Sequence, residues 1–166
     1  MTRKDFDMLT YRKAKPSDIP VLIQLRLGYM HETHGELEEA VFDKIAEMSK
    51  GYFQEHLNRD CVVYLAEEDG IAAGCVFFLL INKPASPLFI TGKTGTLMNV
   101  YTLPQFRRRG IGEALVNMAI EDGKAWDLSY IELRATECGY PLYKKLKFIE
   151  DKSIYMSMKL SLTEEE

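Results

Sequence analysis

The chain has 166 residues and lacks the features that mark several common protein classes. Its three cysteines, Cys61, Cys75 and Cys138, are widely spaced, and no Cys-x-x-Cys pair or His/Cys cluster accompanies them. A disulfide framework and a zinc site are therefore not expected. The longest apolar run, residues 75–81, is far too short to cross a bilayer, and residues 1–10 contain no apolar signal core. We expect a reducing, cytoplasmic setting and no membrane contact.

The chain also lacks an excess of positive charge. It has 25 acidic and 21 basic residues, and a formal net charge of −4. Nucleic-acid-binding domains are usually basic, so the charge balance argues against a nucleic acid partner. The length predicts a single domain over residues 1–166. The ends, residues 1–8 and 161–166, are expected to be flexible.

The spacing of apolar residues along the chain changes at Cys61, from a helical to a strand-like pattern. Helical spacing dominates residues 17–57, with Ser17 as the predicted N-cap of a first helix and further helices predicted at residues 37–48 and 50–57. From Cys61 a strand, an Asp-Gly turn and a second strand predict an antiparallel hairpin. A strand–helix–strand unit over residues 94–136 predicts a parallel pair joined by a right-handed crossover. Residues 140–146 form a predicted short helix, and residues 148–160 supply one or two final strands.

This order of elements predicts an α/β fold with a mixed, mostly antiparallel central sheet. The sheet is expected to have six to seven strands, with helices flanking it.

An unusual turn lies in "PQFRRRGIGEAL", residues 104–115, where Arg107, Arg108 and Arg109 run into Gly110 and Gly112. Adjacent arginines repel one another unless an anion lies near, and the glycines weaken a helix unless the backbone itself contacts a ligand. A helix N-terminus after such a turn can bind phosphate. The alternative is a solvated basic turn, which is disfavoured because helix starts usually carry acidic residues.

Two other phosphate-binding motifs fit less well. "GKT" at residues 92–94 would need a glycine where Pro87 stands, and a helix where a strand is predicted, so a P-loop is rejected. A dinucleotide-binding fingerprint would need a small third residue where Leu115 stands, and only one crossover unit is clear.

"RRRGIG" at residues 107–112 resembles the Gln/Arg-x-x-Gly-x-Gly/Ala motif of the GNAT family, the Gcn5-related N-acetyltransferases. Residues 97–116 resemble the strand, turn and pyrophosphate-binding helix of that family. Residues 131–148 are similar to its fifth strand, short helix and LY-x-K-L-G-F signature, although Lys147 replaces the usual glycine. Residues 11–25 resemble its opening segment.

The resemblance implies the acyl-CoA N-acyltransferase fold, with acetyl-CoA as acyl-donor co-substrate and no metal. It implies that the pyrophosphate of acetyl-CoA lies on the arginine and glycine turn. The pantetheine arm would pair with the fourth strand, largely through backbone groups. The implied cofactor-binding residues are Asn99, Val100, Tyr101, Thr102, Arg107, Arg108, Arg109, Gly110, Ile111 and Gly112.

The resemblance also assigns a catalytic residue. Tyr143 corresponds to the family's tyrosine that protonates the departing thiolate; the alternative is a core tyrosine with a hydrogen-bonded hydroxyl. The attacking amine must be neutral, so a base is useful. Glu132 is the first candidate, unless it pairs with Arg134, and His31 and His34 are rival candidates.

The resemblance implies an N-acetyltransferase that moves the acetyl group to a primary amine by direct attack in a ternary complex. An acyl-cysteine intermediate is the minor alternative. Residues 28–39 are acidic and aromatic and would suit a cationic amine, although a solvated helix face is the plainer interpretation. The predicted acceptor-binding residues are Tyr29, His31, Glu32 and Phe89.

The sequence leaves the acceptor open between a small amine and a peptide or protein amine. A catalytically silent acyl-CoA sensor or interaction module of the same fold is the alternative function. Dimers are frequent in the family, and the final strands could exchange between two copies, so a homodimer is one option.

Overall fold

Within residues 8–163, which the computed structural model describes, five strands form one sheet in the order β1-β2-β3-β4-β5. The strands are β1 (Leu9–Lys13), β2 (Cys61–Glu68), β3 (Ile71–Asn82), β4 (Lys93–Thr102) and β5 (Ile131–Leu133). Neighbouring strands are antiparallel except β4 and β5, which are parallel. The predicted mixed, mostly antiparallel sheet is confirmed.

Helices cover both faces of this sheet. They are α1 (Ile19–His34), α2 (Glu39–His56), α3 (Ile111–Ala125) and α4 (Tyr140–Lys145), with short 3-10 turns at Pro16–Asp18 and Pro104–Phe106. Residues 61–66 of β2 are buried without a break. Val63 and Leu65 pack with α1 and α2, whereas Val62 and Tyr64 pack with α3. A strand buried on both faces needs apolar residues throughout, so its sequence shows a continuous run.

Two local predictions were wrong. The two helices predicted at residues 37–48 and 50–57 are one continuous helix, α2, which runs through Gly51 and leaves residues 37, 38 and 57 outside it. Ser17 lies in the 3-10 turn, and α1 starts after Asp18. The Asp18 carboxylate accepts hydrogen bonds from Arg12 at 2.7 and 2.8 Å. The Arg12 guanidinium holds the pKa of Asp18 below its usual range.

The predicted count of six to seven strands was also wrong. No strand forms over residues 148–160, and the side chains of Ile154, Met156, Met158 and Leu160 are 83–90% exposed. The alternating pattern is a local property, but a strand needs a neighbour to accept and donate its hydrogen bonds. Within residues 8–163, β5 is three residues long and pairs only with β4.

Some expectations about the ends lie outside the described part of the chain, since residues 1–7 and 164–166 are not described. None of the helices within residues 8–163 combines the length and the apolar character that a membrane span requires.

We expect Gly95→Ala to destabilise the protein, because an added Cβ would lie 2.3 Å from Cε2 of Phe78. Phe78 is fully buried and stacks on Trp126 at 6.0 Å, so it has little room to move. The free energy of unfolding, measured by urea titration, should fall by about 1–3 kcal/mol. Gly51→Ala, in an open part of α2, is the control and should gain about 0.5–1 kcal/mol. Wild-type stability for Gly95→Ala would contradict the described packing of β4.

Candidate active site

The pairing of β4 with β5 ends part-way along β4. The last paired residues are Leu97 and Leu133, although β4 continues to Thr102. Beyond this point no described strand covers the β5 side of β4. The backbone of residues 98–102 therefore presents an open edge, to which an extended ligand with amide groups can hydrogen-bond.

A β-bulge interrupts β4 at the same place. Cys75 of β3 pairs with Tyr101 and Phe77 pairs with Met98, so Asn99 and Val100 together oppose a single residue. Asn99 has a φ of 51°, in the left-handed region that asparagine tolerates better than most residues. A bulge bends its strand and redirects the side chains and backbone groups around it.

Polar contacts hold the bulge from the α1 side. Asn99 is 2% exposed, and its Oδ1 accepts a hydrogen bond from Nη1 of Arg26 at 3.1 Å. Its Nδ2 donates to Sγ of Cys75 at 3.5 Å. Burial raises the pKa of the Cys75 thiol to about 12, so this sulfur stays protonated at neutral pH.

Two aromatic rings join α1 to β4 beside the bulge. Tyr29 and Tyr101 meet edge to face, with ring centroids 6.1 Å apart. The close approach depends on Gly28, since a Cβ there would lie 3.0 Å from the Tyr101 hydroxyl. The predicted acceptor-binding residue Tyr29 and the predicted cofactor-binding residue Tyr101 are therefore brought together.

The turn before α3 presents unpaired backbone donors. Gly110 is the N-cap of α3 and has a φ of 77°, a conformation that favours glycine. The backbone N–H groups of Arg108, Gly110, Ile111 and Gly112 donate to no acceptor within the described residues. The Ile111 side chain is 2% exposed, so the core anchors this first helical turn. Such a helix N-terminus is a site for an anion.

The three arginines of this turn have different environments. Arg107 donates from Nε to the Thr102 carbonyl at 2.9 Å and from Nη2 to Glu32 at 2.5 Å, which raises the pKa of Arg107. Arg109 forms a bidentate ion pair with Glu68, in which both Nη atoms donate to the carboxylate. Arg108 is exposed and has no charged or hydrogen-bonded partner among residues 8–163.

The pairing with Arg107 changes the expected role of Glu32. The sequence analysis predicted that Glu32, in the acidic residues 28–39, would help to bind a cationic amine. In the structure its carboxylate lies against Arg107. The pair instead ties the end of α1 to the arginine and glycine turn. A half-exposed pair of this kind stabilises the fold only slightly.

Tyr143 lies on α4 and is 8% exposed. Its ring meets Phe148 edge to face at 5.9 Å, and its hydroxyl has no hydrogen-bond partner within the described residues. Burial, together with the nearby Tyr29, raises the pKa of Tyr143 to about 12. The phenol is therefore buried and stays protonated at neutral pH. Lys147, which replaces the family glycine, has a φ of 68° and keeps the left-handed turn.

Glu132 lies on β5, opposite Thr96 of β4. It is exposed, and Oγ1 of Thr96 donates to its carboxylate at 3.5 Å. The alternative ion pair with Arg134 does not form. Leu133 and Ile131 pack toward α3, so alternation along the strand places Glu132 on the face that carries α1 and α2.

The remaining predicted residues are not joined to this cluster by any described contact. The His31 ring lies 6.3 Å from Phe42 of α2. Nδ1 of His34 lies 2.8 Å from the hydroxyl of Thr33. The Phe89 ring packs on Tyr130 at 6.4 Å, and Nζ of Lys83 lies 4.3 Å from its centroid.

Sequence reasoning missed Arg26 and Cys75. Arg26 lies four residues after Leu22 and three before Tyr29, so it falls on the apolar face that those residues define. A charged residue on such a face is a signal that could have been used. In the sequence, Cys75 is one of several apolar residues in a predicted buried strand. Nothing in the sequence indicates its contact with Asn99.

Comparisons with known proteins identify the class to which this fold and site belong. Residues 22–148 match the acetyltransferase (GNAT) family, and the chain is therefore a member of that family. The relationship predicted from the arginine and glycine turn is confirmed. An "Uncharacterized N-acetyltransferase" from Archaeoglobus fulgidus is 30% identical over 111 residues, which cover 66% of this chain and 70% of that protein.

Solved structures share the fold over nearly the whole chain. A predicted acetyltransferase from Clostridium acetobutylicum, crystallised with acetyl-CoA, is 27% identical with a TM-score of 0.79, covering 92% of this chain and 96% of its own. A GCN5-related N-acetyltransferase from Ralstonia eutropha is 22% identical with a TM-score of 0.78, covering 91% and 99%. The second likeness supports the fold alone.

Proposed function

We propose that this protein is an acetyl-CoA-dependent N-acetyltransferase and that residues 1–166 act as one catalytic domain. It would move the acetyl group to a primary amine by direct attack in a ternary complex. The observation that carries the proposal is the open edge of β4, which leads to a helix N-terminus with unpaired amides. Acetyl-CoA has an extended arm with amide groups, which would match the open edge of β4. Its pyrophosphate follows this arm and would match the helix N-terminus.

Donor binding would use backbone groups more than side chains. The pantetheine arm would pair with β4 at Asn99, Val100, Tyr101 and Thr102. The pyrophosphate would accept hydrogen bonds from the amides of Arg108, Gly110, Ile111 and Gly112, and Ile111 would take part through its backbone only. The exposed Arg108 guanidinium has no carboxylate partner among residues 8–163, so its positive charge would be available to screen phosphate. Arg107 and Arg109 already face Glu32 and Glu68, so they would contribute less net positive charge.

In the proposed chemistry the nitrogen lone pair of the amine attacks the thioester carbon, and the carbon–sulfur bond breaks. The amide of Val100, inside the bulge, would polarise the carbonyl. Tyr143 would protonate the departing thiolate, and Glu132, directly or through water, would take the proton that the amine loses. Free CoA and an N-acetyl amine are the products.

The buried thiols support direct transfer over an acyl-cysteine route. Burial raises the pKa of Cys61 to about 11 and that of Cys75 to about 12, so neither is a thiolate at neutral pH. Cys138 is exposed and hydrogen-bonds to no described base.

For the acceptor, Tyr29 is the best-supported of the four predicted residues, because its ring contacts Tyr101 beside the bulge in β4. Glu32 would act indirectly, by holding Arg107. His31 and Phe89 stay as predictions, with His31 at the end of α1 and Phe89 in the loop before β4.

A thiol-release assay with acetyl-CoA and a panel of primary amines tests the proposal. Release of CoA that depends on an amine is the expected result. Tight binding of acetyl-CoA with no release for any amine would instead favour the catalytically silent sensor or interaction module.

Gly110→Asp should abolish acetyl-CoA binding in calorimetry, because it adds negative charge and backbone strain where the pyrophosphate would lie. Gly70→Asp is a matched control, since Gly70 has a similar φ of 78° and is equally open, but lies in the β2–β3 turn. The control should bind acetyl-CoA as the wild type does. Normal affinity in Gly110→Asp would show that the phosphate site is elsewhere.

Tyr143→Phe should lower kcat by at least about a hundredfold and leave acetyl-CoA affinity nearly unchanged. Tyr140→Phe, on the same helix but exposed and hydrogen-bonded to Glu150, is the control and should keep full turnover.

Because the pKa of Tyr143 is raised to about 12, the phenol stays protonated at pH 10. The wild-type rate should rise with pH as the amine loses its proton, and it should not fall before pH 10. A fall in rate below pH 10 would argue against Tyr143 as the acid.

We propose a cytoplasmic setting, which is supported by the unpaired state of Cys61, Cys75 and Cys138. A homodimer is also proposed. The C-terminal segment, residues 153–162, alternates exposed apolar and polar residues, and β5 of a second copy would offer it a free edge.

Sedimentation velocity tests the homodimer. The wild type should sediment as a dimer, and Met156→Lys combined with Met158→Lys should sediment as a monomer. Ser157→Lys, on the opposite face of the same segment, is the control and should keep the dimer. A monomeric wild type would contradict the proposal.

A further inference from the structure

Arg26 occupies an unusual environment on α1. Its guanidinium is partly buried, and its one described hydrogen bond goes to the neutral amide oxygen of Asn99 at 3.1 Å. No carboxylate within residues 8–163 forms an ion pair with it. Burial lowers its pKa, which reflects the cost of holding this charge away from water.

Every other arginine in the described part of the chain avoids this cost. Arg12 pairs with Asp18 and Glu67. Arg107 and Arg109 each face a glutamate. The remaining three are exposed to solvent: Arg59, Arg108 and Arg134. Arg26 therefore combines partial burial with the absence of a counter-charge.

A guanidinium has five N–H donors in a planar fork, which matches the two oxygens of a carboxylate or phosphate. One of these donors is used by Asn99. Removing an unpaired charge from water is costly, and a bound anion repays the cost by charge-assisted hydrogen bonds. The environment of Arg26 is therefore suited to a negatively charged ligand group.

The location of Arg26 restricts which ligand this is. Its partner Asn99 is in the β4 bulge, where the thioester of acetyl-CoA is proposed to lie. Arg26 also lies three residues before Tyr29 on α1, and the Tyr29 ring contacts Tyr101 of β4 beside the bulge. The pyrophosphate of the donor is proposed at the far end of residues 98–102, on the turn before α3. The donor's phosphates are thus assigned elsewhere, and the group next to Arg26 belongs to the acceptor.

We propose that Arg26 binds an anionic group, a carboxylate or a phosphate, carried by the acceptor amine; this inference rests on the proposed acetyl transfer. Arg26 is then a specificity-determining residue, and it holds the amine close to the thioester carbon. The acceptor class is an amine that bears an acid group, rather than the cationic amine that the acidic residues 28–39 suggested.

Matched pairs of acceptors test this inference. One pair is an α-amino acid and its amide, and the other is O-phosphoethanolamine and ethanolamine, so the two pairs separate carboxylate from phosphate. Each compound is assayed for kcat/KM by thiol release and for Kd by calorimetry with the protein saturated with CoA. In at least one pair the anionic member should be favoured by about tenfold or more, as expected for charge-assisted hydrogen bonds.

Three variants assign this preference to a residue. Arg26→Gln should remove it, by lowering kcat/KM for the anionic member about tenfold more than for the neutral member. Arg26→Lys should retain part of it, because the charge remains but the fork is lost. Arg59→Gln, an exposed arginine outside the site, should keep the full preference.

Two results would overturn the inference. One is equal binding of both members of each pair by the wild type. The other is an equal loss for both members in Arg26→Gln, which would mean that Arg26 serves only to hold Asn99. The calorimetric comparison needs no turnover. A wild type that binds the anionic acceptor in an Arg26-dependent way, yet releases no thiol, would refute the proposed transfer and retain the anion site.

Discussion

The interruption of pairing between β4 and β5 is the constraint on which the rest of the site depends. Backbone N–H and C=O groups have strong hydrogen-bonding requirements, and an unpaired strand edge inside a sheet is a liability. Here the pairing stops at Leu97 and Leu133, and the bulge at Asn99 and Val100 begins two residues later. The open edge is therefore confined to residues 98–102, where an extended ligand can complete it.

The other parts of the site follow from that edge. The turn after β4 leads directly to Gly110 and the N-terminus of α3, so unpaired amides lie at the end of the open edge. The Glu32–Arg107 pair fixes the end of α1 beside this turn, and the Tyr29–Tyr101 contact fixes its middle beside the bulge. On α4, Tyr143 is a buried phenol whose raised pKa keeps it protonated at neutral pH. We propose that these groups supply the donor site, the general acid and the acceptor-binding face of the enzyme.

Local patterns in the sequence predicted much of this arrangement. The continuous apolar run of β2, the Asp-Gly turn and the helical spacing of α3 each reflect forces between near neighbours, and the mixed sheet follows from their order. The arginine and glycine turn identified the family because the glycines serve backbone geometry. Even Lys147, where the family has glycine, keeps a φ of 68°.

Long-range pairings were not predictable in the same way. Glu32 and Arg107 lie 75 positions apart, and Arg26 and Asn99 lie 73 apart, so only the folded topology shows that each pair meets. The expected final strands failed for a related reason, since alternation at residues 154–162 describes a strand but supplies no partner for it. The bulge, which places Asn99 against Arg26, depends on the register of β3 with β4 and leaves no clear mark in the sequence.

The most direct test of the account is a crystal structure of the protein with bound acetyl-CoA. We predict that the pyrophosphate accepts hydrogen bonds from the unpaired backbone amides within residues 108–112, and that the pantetheine amides pair with the backbone of β4 between Asn99 and Thr102. A pyrophosphate held by the arginine side chains alone, with the pantetheine arm away from the open edge of β4, would contradict it.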